Sequence, residues 1–211
     1  MNISKTNQIY IEIKKRILNN FYKEGEHIQE KEICETFNVS RTPVREAISR
    51  LAAENLIVSY PKKGSFVTSL STQDILQLFQ VRYIIEIAAL NLAFENLEEN
   101  KILEYKEKFI NGIEVEDYPL LHELDYDFHN YINSKCRNQY LIDFLNRVQD
   151  TFQRVRTQEF YAKDRTIGGA NEHIELINNI IAGNKEDSIK LLEEHIASTE
   201  KYYFKSLNTI N

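Results

Sequence analysis

A chain of 211 residues with 42% hydrophobic and 27% charged side chains has room for one large domain or two ordinary ones, and its composition is that of a globular protein. Six glycines and three prolines argue against a loop-rich or all-β fold, and a net charge of −6 reads at first against a nucleic-acid binder. The charge is unevenly divided, however: residues 1–70 carry eleven Lys/Arg against eight Asp/Glu (+3), and residues 71–211 carry fifteen against twenty-four (−9).

The first residues, MNISKTNQIY, lack an apolar stretch of signal-peptide length, and no later run reads as long enough to span a bilayer. Cys34 and Cys136 are far apart and form no C-x-x-C, which suits buried or half-buried thiols in a reducing compartment. These features predict a cytoplasmic protein without a membrane partner.

In chain order, Ile9, Ile13 and Ile17 lie four apart and predict an amphipathic first helix ending near Asn19-Asn20. Residues 21–27 read as a Gly-containing connection, with His27 in it without partners. Ile28, Ile33 and Phe37 suit a second, short helix, and Asn38-Val39 a tight turn. The stretch NVSRTPVREAISRLAAENL then organises the first third of the chain. Ser40 and Thr42 are good N-caps, and Pro43 falls in a first turn that has no hydrogen-bonded amide to lose. Val44, Ile48 and Leu51 give one apolar face and leave Arg41, Arg45, Ser49 and Arg50 outward. Asn55 stands where a helix ends in a left-handed residue. Arginines near the start of a short, capped helix suit a recognition helix in a major groove, although most helices of this kind are merely solvated. The flanks favour DNA. Leu56-Ile57-Val58 and Phe66-Val67 are β-prone runs joined through SYPKKGS, a hairpin whose Lys62, Lys63 and Gly64 could meet a phosphate backbone.

The residues VSRTPVREAI, L-x-x-E-N-L-I and P-K-K-G-S-F-V resemble the winged helix-turn-helix of GntR-type transcriptional regulators, from about Ile9 to Val67. The resemblance implies binding of double-stranded operator DNA, with Arg41, Thr42 and Arg45 at contacting positions and Gly64 at the wing tip. Lys31 falls where some members carry a DNA-contacting arginine; a lysine could hold a phosphate there without the bidentate fork.

After a boundary at residues 70/71, S-T-Q-D opens a helical pattern and no further strand is predicted. Six helices are expected, over roughly 73–95, 99–112, 118–134, 138–162, 169–182 and 185–206, with a break at Gly168-Gly169. They predict an antiparallel bundle, making the whole chain mainly α with a small β wing. Asp125 and His129 lie four apart in D-Y-D-F-H, on one helical face; His173 stands in N-E-H-I-E-L-I and His195 in E-E-H-I. If three helices face one cavity, three imidazoles and a carboxylate suit a divalent ion: zinc first, with nickel, manganese and iron admissible. Histidines at the polar–apolar border of amphipathic helices give the same pattern without a metal. His122 shares the face of Asp125 and His129 but reads as a surface or supporting group, and Asp127 as solvent-facing.

D-x-x-F-H, E-H-x-x-I and a final H-I, in this order, resemble the ligand-binding (FCD) domain of the FadR-like branch of these regulators; six helices resemble its VanR-like subgroup. Arg82 and Glu86 match its R-x-x-x-E start, Asn138 its turn asparagine and Arg165 the arginine eight residues before the His173 position. Arg137 replaces the usual glycine before that asparagine. The resemblance implies a metal held by Asp125, His129, His173 and His195. The reading it supports is a homodimeric repressor whose effector is a small organic acid bound at the metal, with Arg82 and then Arg165 as its partners. Two other readings use the same residues. One is a metal-dependent enzyme, against which stand the absence of H-E-x-x-H and of a separate base. The other is a regulator with a structural metal or an acyl-CoA effector.

Overall fold

The computed structural model describes residues 4–159 and 163–207. Its elements in order are α1 (Lys5–Leu18), β1 (His27–Ile28), α2 (Glu30–Phe37), α3 (Arg41–Ala53), β2 (Ile57–Tyr60), β3 (Gly64–Val67), α4 (Thr72–Ala93), a 3-10 turn (Phe94–Asn96), α5 (Glu99–Glu114), α6 (Tyr118–Ser134), α7 (Gln139–Glu159), α8 (Lys163–Ile181) and α9 (Lys185–Leu207). The chain divides into two compact units. The first runs to Gln73 and takes in Gln153–Gln158 of α7; the second holds the other described residues from Asp74 onward.

In the first unit the isoleucines spaced by four on α1 are buried at 0–1% exposure, against Ile33 of α2 and Val44, Ala47, Ile48 and Leu51 of α3. Pro43 lies in the first turn of α3, behind the N-cap Ser40. Asn38 and Asn55 both take positive φ, 49° and 60°, and end α2 and α3 where only glycine or asparagine does so at little cost. The amide of Leu56 then bonds back to Leu51 O at 3.0 Å, closing α3 before the strand begins.

The sheet has three strands in the order β1-β3-β2, all antiparallel. His27 therefore does not sit in a bare loop: it pairs with Phe66 across β1 and β3, and the two rings lie 5.0 Å apart. A two-residue strand has no period to detect, so only the pairing reveals it. At the wing tip Lys62 has φ 62°, Lys63 N donates to Tyr60 O at 3.1 Å, and Gly64 has φ 103°.

The second unit holds six helices among the described residues, as the pattern predicts; the start of the fifth moves, and the expected end of the fourth, at Ala162, lies outside the described residues. Helix α8 begins at Lys163 and runs through Gly168 and Gly169, which the sequence reading takes as a break. Glycine in a helix costs about 1 kcal/mol relative to alanine. Packing of α8 against α5, α6 and α9 outweighs that local preference. Asn138 caps α7 by accepting from Leu141 N at 3.2 Å, and Arg137 before it takes φ 55°. The apolar core is aromatic at its centre: Phe79 meets Phe152 edge-on at 5.0 Å, and Phe109 meets Phe128 at 5.9 Å.

The expectation that no run could span a bilayer needs correction. Residues 72–96 are long and apolar enough by length and composition. In the fold this segment is α4 and its following turn, and its apolar side chains Ile75, Phe79, Ala89 and Leu90 are buried in the bundle. Its central charges, Arg82 and Glu86, are buried as well, each at 1% exposure. Other apolar side chains of α4 are exposed, among them Tyr83, Ile84 and Leu92, so its hydropathy reflects apolar residues on more than the buried face.

Candidate metal centre and nucleic-acid interface

Helices α6, α8 and α9 bring Asp125, His129, His173 and His195 together, one ligand atom from each lying within 4.8 Å of the others. All four residues are buried, at 7%, 2%, 1% and 4% exposure. Nε2 of His129 lies 3.2 Å from Nε2 of His173; Oδ1 of Asp125 lies 3.4 Å from His173 Nε2 and 3.9 Å from Nε2 of both His129 and His195. Donors bonded to one first-row ion at about 2.0–2.2 Å stand roughly 3–4 Å apart, so these residues fit a divalent metal without rearrangement of helices. Spacing of four on α6 puts Asp125 and His129 on one face. The meeting with His173 and His195 belongs to the packing of three helices.

Each imidazole is oriented by a different neighbour. Nδ1 of His129 is 2.8 Å from Glu86 Oε2 on α4, and Nδ1 of His195 is 2.7 Å from Glu172 Oε2 on α8. The ring of His173 lies nearly parallel to Phe109, centroids 5.0 Å apart, with Phe128 across its edge at 5.4 Å. Burial pushes the Glu86 carboxyl up, but the Arg82 guanidinium and then His129 outweigh it and hold it at about 2. Burial dominates at His129 and lowers its pKa, against the opposing pull of the Glu86 carboxylate.

Arg82 donates from Nε to Glu86 at 2.7 Å, lies over the Phe152 ring at 4.0 Å, and has Nη2 3.1 Å from His129 Nε2. It thus reaches the donor cluster itself. Arg165 is bound to both oxygens of Glu172, at 2.7 and 2.8 Å, and to Thr199 Oγ1 at 2.8 Å. His122 stays outside the four-residue cluster, with Nε2 3.3 Å from Thr166 Oγ1, and Asp127 is exposed. Glu172 and Gln149, which bonds Glu86, are the residues that the sequence reading does not assign to the site. Glu172 is adjacent to His173, and neighbours on a helix face different ways; its partner His195 comes from another helix.

On the first unit, Arg41, Thr42 and Arg45 are exposed on α3, Lys31 on α2, and Lys62 and Lys63 on the wing. Arg45 pairs with Glu30 at 3.0 Å while remaining 64% exposed, a surface ion pair of small net stabilisation. Arg50 behaves differently: its guanidinium lies 3.9 Å over the Tyr10 ring and donates to Asn7 at 3.2 Å, which ties α3 to α1. Gly64 has φ 103°, where any side chain is strained, and a Cβ there would come within 2.4 Å of His27 Nε2, so that ring would have to shift.

Comparison with known proteins agrees with both units. The profile of bacterial regulatory proteins of the gntR family matches residues 5–67, and that of the FCD domain matches residues 77–198. The chain belongs to the GntR family and carries an FCD domain. It is 30% identical over 156 residues to the HTH-type transcriptional repressor RspR of Escherichia coli K12, covering 72% of this chain and 68% of that one. A GntR regulator from Rhodococcus sp. RHA1 shares the fold with a TM-score of 0.84 at 22% identity, over 97% of this chain and 99% of the other. The Zn2+-bound FCD domain of the regulator TM0439 is 26% identical with a TM-score of 0.58, over 67% of this chain and 99% of that domain. This GntR member is a transcriptional regulator of the FCD type, with a three-histidine, one-aspartate cluster in its helical unit.

Proposed function

We propose that this regulator is a homodimeric, cytoplasmic repressor with no membrane partner and no catalytic activity, which releases or rearranges on a palindromic operator when a small organic acid binds at its metal. The observation that carries this reading is the convergence of Asp125, His129, His173 and His195 inside the FCD domain of a chain whose other domain is a gntR-type DNA binder. Zinc is the first choice of ion, supported by the Zn2+ of the TM0439 domain; nickel, manganese and iron accept the same donors. We place the domain boundary at 70/71.

Four protein donors leave a position open on an ion that takes five or six ligands, and a carboxylate is a good occupant. Arg82, whose Nη2 is already at the donor cluster, is the partner for a second carboxylate on the same molecule. On the DNA side, Arg45, Arg41 and Thr42 meet bases or backbone, and Lys31, Lys62, Lys63 and the Gly64 turn meet phosphates. Repression is supported by the similarity to RspR, a transcriptional repressor. The test is metal analysis of the purified protein, followed by calorimetry with a panel of small organic acids before and after chelation. Stoichiometric metal and acid binding that disappears on chelation is expected. Undiminished acid binding by metal-free protein would defeat the reading.

A further inference from the structure

Two of the three histidines have a glutamate beside Nδ1 and an arginine behind that glutamate. A glutamate takes Nδ1, and an arginine fixes the glutamate: Arg82 holds Glu86 at 2.7 Å, and Arg165 holds Glu172 through two bonds at 2.7 and 2.8 Å. Gln149 adds a second bond to Glu86, and Ser198 Oγ a second to Glu172 at 3.3 Å. At His195 the Glu172 carboxylate accepts the Nδ1 hydrogen, which leaves the ring's lone pair on Nε2, the nitrogen in the donor cluster; at His129 the Glu86 carboxylate lies 2.8 Å from Nδ1 as a charged neighbour.

We propose that Glu86 and Glu172 are positioning residues for His129 and His195, and that Arg165 serves the metal centre through Glu172 rather than gripping the effector. The inference rests on the metal reading above and extends it to the layer of residues behind the ligands. The two clamps differ in setting. Glu86 is 1% exposed, so removing it strands Arg82, also 1% exposed; the Glu172 side chain is 32% exposed and its partner Arg165 11%, so altering it leaves a less deeply buried charge, which Thr199 Oγ1 still contacts. Glu172 is therefore the position to test.

The experiment is a competition titration of the full-length protein with zinc against a chromophoric chelator, with Co2+ absorption as a second readout. E172A should bind zinc about 10–100-fold more weakly while still giving a Co2+ ligand-field spectrum, because no ligand is removed. E172Q, whose amide oxygen can still accept from Nδ1, should recover most of that affinity, and it keeps the test open should E172A fold poorly. R165A should move zinc affinity in the same direction by a smaller factor. E172A with wild-type zinc affinity and an unchanged Co2+ spectrum would overturn the positioning role. R165A with wild-type zinc affinity but a lost response to organic acids would overturn the assignment of Arg165. Wild-type protein that takes up neither ion would defeat the metal reading itself, a failure visible before any variant is made.

Discussion

The proposed roles of Arg45 and Lys63 in DNA binding differ in a way that single substitutions resolve. Arg45 stands one turn into α3, exposed, with a guanidinium fork that can take two acceptors of a guanine edge. Arg45→Ala should cost about 1–3 kcal/mol on the operator and relax base preference at one position. Lys63→Ala, at the wing, should weaken all duplexes alike and reduce the slope of log affinity against log salt by about 0.9. Fluorescence anisotropy titrations on operator and scrambled duplexes at several salt concentrations read both; an Arg45→Ala protein with intact affinity and selectivity would remove Arg45 from the interface. In the helical unit, His173→Ala and His195→Ala each delete a proposed metal ligand without touching α3 or the wing. Both should lose stoichiometric metal and the response to organic acid together, and retain operator binding. Elemental analysis and calorimetry check the first two, and anisotropy the third.

At the scale of elements, the wing shows how a local backbone constraint serves a functional surface. Its turn places Lys62 at φ 62° and Gly64 at φ 103°, so the two lysines and the glycine are one geometric unit. Gly64→Ala would force a side chain into that conformation and against the His27 ring. The expected loss is about 1–2 kcal/mol, read as a lower urea midpoint with an unchanged slope. Gly64→Ala with wild-type stability would show that the turn relaxes without strain. Helix α4 shows the opposite relation between sequence and role. Its apolar composition alone passes for a membrane span, yet its one buried ion pair, Arg82–Glu86, stands beside His129.

For the whole molecule, one winged domain offers few base contacts, so useful affinity requires two domains on one face of a duplex. Sedimentation should therefore give a dimer at micromolar protein, and footprinting a two-fold symmetric operator. A monomer that binds tightly at one chain per duplex would exclude this. Coupling between metal and DNA has a thermodynamic condition: the acid must bind one arrangement of the dimer better than the other, since equal binding shifts nothing. Chelation should accordingly abolish the effect of acid on operator affinity. Metal should also raise the melting temperature, because an ion bound only by the folded state adds its binding free energy to stability.

Much of this was settled by local sequence. The spacing Ile9, Ile13, Ile17, the proline in the first turn of α3, the left-handed asparagines and the D-x-x-x-H pair on α6 each follow from constraints within one or two turns. Such constraints act over a few residues and are visible in the order of side chains. The GntR and FCD motifs, read whole, extended that local legibility to the family. Other features were decided only by packing. Strand β1 exists because β3 offers it partners, and α8 continues through Gly168-Gly169 because three helices hold it. Arg50 faces α1 instead of DNA because Tyr10 lies beneath it. The clamps on His129 and His195 join α4 to α6 and α8 to α9. Those contacts depend on the register between helices far apart in the chain, and no periodicity along a single helix encodes that register.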